Sequence, residues 1–281
     1  MKRITFIVLM LACNLAMAQN LRIVTYNIRM NTAADGINAW PNRSAQVGAL
    51  LDFHQAEIFG LQEAFIGQIE DLQGLLPKMK WVGVGRDDGK KAGEFSPIFY
   101  DFEKFKALKN GGFWLSETPE KPGLGWDAAC NRVCTWMVLK EIKSGDKFIV
   151  FNTHFDHMGT KARTESAKLI LQKIKELNTE KLPVVLMGDF NLTPETEPIA
   201  VITSELSDSR AVTKKPPYGP VGTFNAFKFD APMKDRIDYI FVNDKLEVKR
   251  YAVLTDNKDQ RFPSDHLPVL VVLEIKNGKK K

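Results

Sequence analysis

The chain has 281 residues, 44% of them hydrophobic, 10% aromatic and 26% charged, which is enough apolar material for one large core. Its formal charge of +5 is mostly a tail, Lys276, Lys279, Lys280 and Lys281, so the basic asymmetry of a nucleic-acid-binding surface is missing. Charge therefore does not name a substrate, and neither a repeat nor a linker divides the chain.

Met1-Lys-Arg followed by the apolar run Ile4 to Ala12 and by Ala16-Met17-Ala18 reads as a secretory signal peptide, residues 1–18, ahead of a single domain, residues 19–281. Export to the periplasm or the medium is expected. A lipoprotein cysteine at Cys13 is the weaker reading, because Met10-Leu11-Ala12 approaches it poorly. The run is shorter than the ~20 residues of a membrane span, so a monomer without stable membrane insertion is expected. Cys130 and Cys134 remain after cleavage. If the chain between them is extended, their Cα atoms lie roughly 13 Å apart, so two free, half-buried thiols are expected.

Leu21 to Ile28 alternates as a strand ending near Asn27. Val47, Leu50, Leu51 and His54 recur at helical spacing over Arg43 to His54, with His54 as packing. Ile58 to Glu63 is a buried strand that delivers Glu63 at its end, and Ile66 to Leu76 is an amphipathic helix. Short apolar runs from Trp81 to Trp114 read as hairpins, and Trp114 and Trp126 line a cleft or form a lid. Arg132 to Glu141 and Lys147 to His154 pair around Ser144-Gly145-Asp146, placing Asn152 and His154 on one face. Lys161 to Asn178 is a helix. Leu182-Pro-Val-Val-Leu-Met-Gly-Asp-Phe-Asn191 follows as a doubly buried strand that ends in Asp189 and Asn191. Past a loop with a short helix at Ile199 to Leu206 come strands at Ile237 to Val242, carrying Asp238, at Val248 to Leu254, and at Val269 to Ile275 behind Asp265 and His266.

Six strand ends thus offer carboxylates, amides and imidazoles. Hard oxygen donors suit Mg²⁺, Mn²⁺ or Ca²⁺, and histidines suit charge stabilisation or proton transfer. Spacing alone leaves open that each group is satisfied locally. A zinc pair at His154 and His157 lacks a third soft ligand.

Thr25-Tyr-Asn-Ile-Arg29, Gly60-Leu-Gln-Glu63, Asn152-Thr-His154, Gly188-Asp-Phe-Asn191, Ile237-Asp-Tyr-Ile240 and Ser264-Asp-His-Leu-Pro268 stand in the order of the endonuclease/exonuclease/phosphatase superfamily, which the chain resembles over nearly all of residues 19–281. The resemblance implies a DNase I-like, four-layered α/β sandwich, two packed mixed β-sheets flanked by helices, that hydrolyses phosphoesters with a divalent metal, Mg²⁺ or Mn²⁺. It implies Glu63 as the principal metal carboxylate with Asn27 and Asp265 beside it, and Asp189 as the base. Asn191 holds phosphate, His154 and His266 contact it, and Asp238 orients His266. Phe113-Trp-Leu-Ser-Glu-Thr-Pro119, Trp126-Asp127 and Arg132-Val-Cys-Thr-Trp136 are similar to the deadenylase-like branch, in which Arg132 is a phosphate contact; Asn152 is a further candidate for substrate binding. Asn131 and Glu57 depart from the pattern without touching the chemistry. A decayed binding protein on the same scaffold is the alternative, disfavoured because base, histidines and metal acid are all present. Nucleic acid, a nucleotide, a phospholipid head group or a sugar phosphate all remain as substrates.

Overall fold

The computed structural model describes residues 20–276. The segment read as a signal peptide and the last lysines lie outside the described residues. In chain order the elements are β1 (Asn20–Asn27), α1 (Ser44–Phe53), β2 (Ile58–Gln62), α2 (Ile66–Leu75), β3 (Met79–Val82), β4 (Ile98–Asp101), β5 (Phe105–Trp114), β6 (Val133–Glu141), β7 (Lys147–His154), α3 (Thr160–Leu177), β8 (Val184–Asp189), α4 (Glu197–Thr203), β9 (Ser207–Asp208), α5 (Ser209–Val212), β10 (Asp238–Val242), β11 (Leu246–Val253) and β12 (Val269–Ile275).

They build two six-stranded sheets with orders β11-β12-β1-β2-β4-β3 and β5-β6-β7-β8-β10-β9. Each sheet is mixed, with one parallel pair at its centre, β1 with β2 and β7 with β8. The period-two alternation seen in β1 has its cause here. Ile23 points between the sheets, into a core shared with Met137, Val150, Val185, Met187 and Ile240. Its neighbour Val24 points outward and packs with Val47 and Leu51 of α1 and Leu72 of α2. On the other outer face Ile170 and Ile174 of α3 and Ile199 of α4 cover Phe151, Leu186 and Phe241. Four layers result, with central strands such as β2, β8 and β10 buried on both faces, which accounts for the unbroken apolar run of β8.

Strand direction gathers the polar ends at one edge. β1, β2, β7 and β8 all deliver their C-terminal residues there. β12 runs antiparallel to β1 and β10 antiparallel to β8, so these two present their N-terminal approaches at the same edge. The register sets Asp238 opposite Asp189 and His154 beside it.

Local departures from the sequence expectations have physical reasons. The helix expected at Ile199 starts at Glu197, because Pro198 suits a first helical turn. His54 does more than pack: its Nε2 lies 3.0 Å from both carboxylate oxygens of Asp256. Both cysteines are free, but Cys134 on β6 is wholly buried and only Cys130 is half-buried. Trp114 ends β5 as a buried residue, its Nε1 donating to the carbonyl of Arg86 at 2.7 Å. Among the described residues no helix is long and apolar enough to cross a membrane.

Candidate active site

Asp189 lies at the centre of the edge. Gly188 before it has φ +156°, and a Cβ there would meet the Thr153 carbonyl at 2.1 Å, so only glycine lets β7 and β8 close beneath the site. One oxygen of the buried Asp189 carboxylate accepts from Asn191 N–H (2.9 Å) and the other from Asn27 Nδ2 (2.9 Å). Burial, and then the nearby Asp238 carboxylate, push the Asp189 carboxyl up to about 7. A carboxylate poised there is matched to taking a proton from water at neutral pH.

The two histidines flanking Asp189 have opposite character. His266 Nδ1 lies 3.0 Å from Asp238 Oδ2 and its Nε2 3.8 Å from Asp189 Oδ2. Burial works against its charge, but Asp238 and Asp189 outweigh burial and hold it well above the usual range, which favours the imidazolium. His154 Nε2 stands 3.0 Å from Asn191 Nδ2 and 3.5 Å from Asp189. Because the amide donates, Nε2 accepts, and the ring proton is assigned to Nδ1 from this network. Burial first, then the guanidiniums of Arg132 and Arg86, keep His154 neutral.

The acidic half of the site comes from the other sheet. Glu63 follows β2 with φ +60°, a strained conformation that turns its carboxylate across the edge toward β1. It accepts from Asn27 Nδ2 at 3.0 Å and Met30 N–H at 3.1 Å, with Arg29 Nη1 at 3.7 Å. Asp265 is held by Asn225 and Ala226, whose backbone N–H groups donate to its carbonyl, while Ser264 ties the same loop to the Asn27 carbonyl at 2.7 Å. Burial raises the Asp265 carboxyl, and Glu63 adds to the effect. Two carboxylates near each other at the rim, Glu63 and the buried Asp265, with no thiolate beside them, form a donor set that fits a hard divalent cation; Asn27 turns its amide N–H groups to Glu63 and Asp189, its oxygen accepting from Arg29 N–H.

The structure therefore brings together Asn27, Glu63, His154, Asp189, Asn191, Asp238, Asp265 and His266. Asn152 stands apart. It shares a face with His154, but two residues further back that face is buried between the sheets. Its amide donates to the Leu61 and Pro97 carbonyls at 2.9 and 2.8 Å and accepts from Gln62 Nε2 at 2.7 Å, so it staples the sheets rather than meeting substrate. Gly60 leaves it room, since a Cβ there would lie 2.5 Å from the Asn152 side chain. His157 does not pair with His154. It clusters with Cys130 and Asp156, and Arg132 Nη2 3.1 Å from its Nδ1 opposes a cation there.

Several supporting residues escaped the sequence reading. Arg43, at the start of α1, is buried and donates to the carbonyls of Ile28, Arg29, Asn38 and Pro263, bracing the loops that carry Glu63's partners and Asp265. Gln68 accepts from Phe65 and Asn31 N–H and donates to the Arg29 carbonyl; a glutamine three residues after a helix start was its signal. Arg86 and Glu94, in the glycine-rich loop between β3 and β4, reach the His154 side of the site, and nothing in the local pattern marked them.

With this geometry in place, the comparisons with known proteins decide the family. The model of the Endonuclease/Exonuclease/phosphatase family matches residues 24–266. The chain belongs to this family. It is similar to a solved endonuclease/exonuclease/phosphatase family protein of Bacteroides thetaiotaomicron, 40% identical, with a TM-score of 0.88 over 92% of this chain and 99% of that one. A mannosyl-6-phosphatase from the same species is 41% identical, with a TM-score of 0.86 over 90% and 99%. The human nocturnin catalytic domain, solved with a bound sulfate anion, is 19% identical with a TM-score of 0.73 over 91% and 93% and shares the fold. The chain is thus a hydrolase of the endonuclease/exonuclease/phosphatase type, and the DNase I-like sandwich expected from the motifs is the one observed.

Proposed function

We propose that the protein is an exported, metal-dependent phosphoesterase that cleaves its substrate by direct attack of water on phosphorus. The carrying observation is the convergence, from both sheets, of a poised carboxylate, an imidazolium and a pair of hard acids on one edge. Glu63 and Asp265 would hold Mg²⁺ or Mn²⁺, which supplies positive charge to the phosphoryl oxygens when bound, and Asn27 orients Glu63 through its amide N–H. Asp189 accepts the proton of the attacking water while the backbone of Asn191 and the amide of Asn27 fix its two oxygens. His266, kept charged by Asp238, donates from Nε2 to a phosphoryl oxygen whose negative charge grows in the transition state. Asn191 holds the neutral His154 in place through Nε2. Export rests on the leader-like residues 1–18. The mannosyl-6-phosphatase relative makes a sugar phosphate the first substrate to try, followed by nucleotides and nucleic acid.

Assay of the purified protein against phosphomonoesters and phosphodiesters tests this reading. Hydrolysis is expected with Mg²⁺ or Mn²⁺, loss with EDTA and recovery on adding either ion. Turnover that survives exhaustive chelation would overturn the metal assignment. Fractionation of cells expressing the full chain, with terminal sequencing, tests export and cleavage after Ala18.

A further inference from the structure

Glu63, the acid that would hold the metal, has a cation beside it already. Arg29 Nη1 lies 3.7 Å from Glu63 Oε2, too far for a hydrogen bond and near enough for attraction. The guanidinium stops short because its other side is held. Arg29 Nε donates to Asp35 Oδ2 at 3.1 Å and Nη2 donates to Asp35 Oδ1 at 3.2 Å, a two-bond fork that fixes the plane of the group. Both ends of the fork are braced. Arg29 has φ +55°, its N–H donates to Asn27 Oδ1 at 3.0 Å, and its carbonyl accepts from Arg43 Nη2 at 2.8 Å and Gln68 Nε2 at 2.9 Å. Asp35 lies in a short 3-10 segment, Ala33–Asn38, whose start is capped by Thr32 Oγ1 accepting from Ala34 N–H, and which kinks at Gly36 with φ +54° and ψ −114°, backbone that suits glycine. The Arg29 and Asp35 side chains are only 28% and 13% exposed, so solvent screens the pair in part.

We infer that Asp35 is a positioning residue for the metal: by compensating the charge of Arg29 and holding its fork off Glu63, it keeps the Glu63 carboxylate free to bind a divalent cation. The inference rests on the metal-dependent reading above. A free guanidinium at this place would oppose the metal twice, by attracting its carboxylate and by repelling the ion. With Asp35 in place, Arg29 and Asp35 together carry no net charge, and Glu63 and Asp265 keep theirs for the cation. Without the Asp35 charge, Glu63 is the carboxylate left within 4 Å of the guanidinium among the described residues. Nη1 then needs to move by only about 1 Å to make a charge-assisted hydrogen bond with Glu63 Oε2. That oxygen has room for it, since its other donor among the described residues is Met30 N–H. Loss of Asp35 thus turns Arg29 into a competitor for the metal's own ligand.

Mn²⁺ binding to the full protein, read by titration calorimetry and by the paramagnetic resonance of free Mn²⁺, tests this without turnover. Asp35→Asn keeps the shape and drops the charge, and should raise the Kd about tenfold or more, as expected when a residue that sets a metal ligand's surroundings is lost. Arg29→Ala should bind Mn²⁺ at least as tightly as the wild type. The double variant should bind within about threefold of Arg29→Ala, because Asp35 acts only through Arg29. A merely structural role for Asp35 in its turn would leave the double variant as weak as Asp35→Asn. Asp35→Glu, which returns the charge, should recover most of the affinity. If Asp35→Asn fails to fold, Arg29→Lys decides the matter: it keeps the charge and loses the fork, so it should bind Mn²⁺ more weakly than both the wild type and Arg29→Ala. An unchanged Kd in Asp35→Asn (or in Arg29→Lys where that variant decides), a loss that removal of Arg29 does not restore, or weaker binding in Arg29→Ala than in the wild type overturns the inference and leaves the metal-dependent reading standing. Absence of Mn²⁺ binding by the wild type overturns both.

Discussion

Replacing Asp238 by asparagine removes a charge without changing a shape. Asp238 Oδ2 stands 3.0 Å from His266 Nδ1, and Asp189 Oδ2 stands 3.8 Å from Nε2 of the same ring. At an effective dielectric of about 20, unit charges at these separations attract by about 5.5 and about 4 kcal/mol. Burial opposes both, yet His266 remains well above the usual histidine range. Asp238→Asn takes away the larger attraction, and the balance tips toward the neutral ring. The rate at neutral pH should fall about 10- to 100-fold, and the alkaline limb of the pH–rate profile should move to lower pH. Stability follows the same linkage. A histidine whose folded pKa is raised contributes stability in full below its unfolded pKa of about 6.5 and loses it as pH rises through the folded pKa. Urea unfolding should therefore show the variant weakened most at pH 6, with the difference shrinking at alkaline pH. A cycle of Asp238→Asn, His266→Ala and the double variant should give a coupling of at least about 1 kcal/mol in catalysis. Strictly additive losses would refute the pairing and leave Asp238 acting on something other than His266.

Glu63→Gln keeps the hydrogen bonds of its site and removes a full charge, so the Mg²⁺ concentration for half-maximal rate should rise at least tenfold; wild-type behaviour in a low-Mg²⁺ titration would exclude Glu63 as a ligand. Asp189→Asn should cost about 10²- to 10⁴-fold in kcat. The folded pKa of Asp189 is raised to about 7, so its ionisation costs stability as pH climbs past the unfolded value, and this variant should melt higher than wild type at pH 8 in EDTA. A melting point below wild type there would contradict the burial argument. Gly188→Ala drives a Cβ against the Thr153 carbonyl and should destabilise by about 3 kcal/mol or more, with loss of soluble protein or a lower urea midpoint as the readout.

The parts of the fold legible in the sequence were those with a strong period. β1 alternates because its two faces meet different layers, and β8 reads as one apolar run because both its faces are covered. The polar groups gathered at the candidate site were legible where they ended such strands, since a polar residue at the mouth of an apolar run has few packing reasons to be there. Asn152 misled because alternation specifies a face and not a depth: two residues from the strand end, the face shared with His154 has already passed between the sheets. Arg43 and Gln68 were hidden for another reason. A polar residue near the start of a helix looks solvated, and only the loops folding over it reveal the carbonyls and N–H groups it serves. Arg86 and Glu94 lie in a loop without any period, and their meeting with Arg132 and His154 depends on contacts about forty or more residues apart.

The division of the site between the two sheets has a consequence for how the interior is read. Glu63 and Asp265 ride on one sheet, Asp189 and His154 on the other, and the contact between the halves runs through the packed side chains of Ile23, Val150, Met187 and their neighbours and through the Asn152 staple. Catalytic geometry is sensitive to displacements of about 1 Å, whereas a conservative exchange in the core costs less than about 1.5 kcal/mol of stability. Turnover thus acts as a ruler laid across the sandwich. Exchanges such as Met187→Leu, buried between the sheets, should register in kcat as a slip between sheets well before a melting curve notices them.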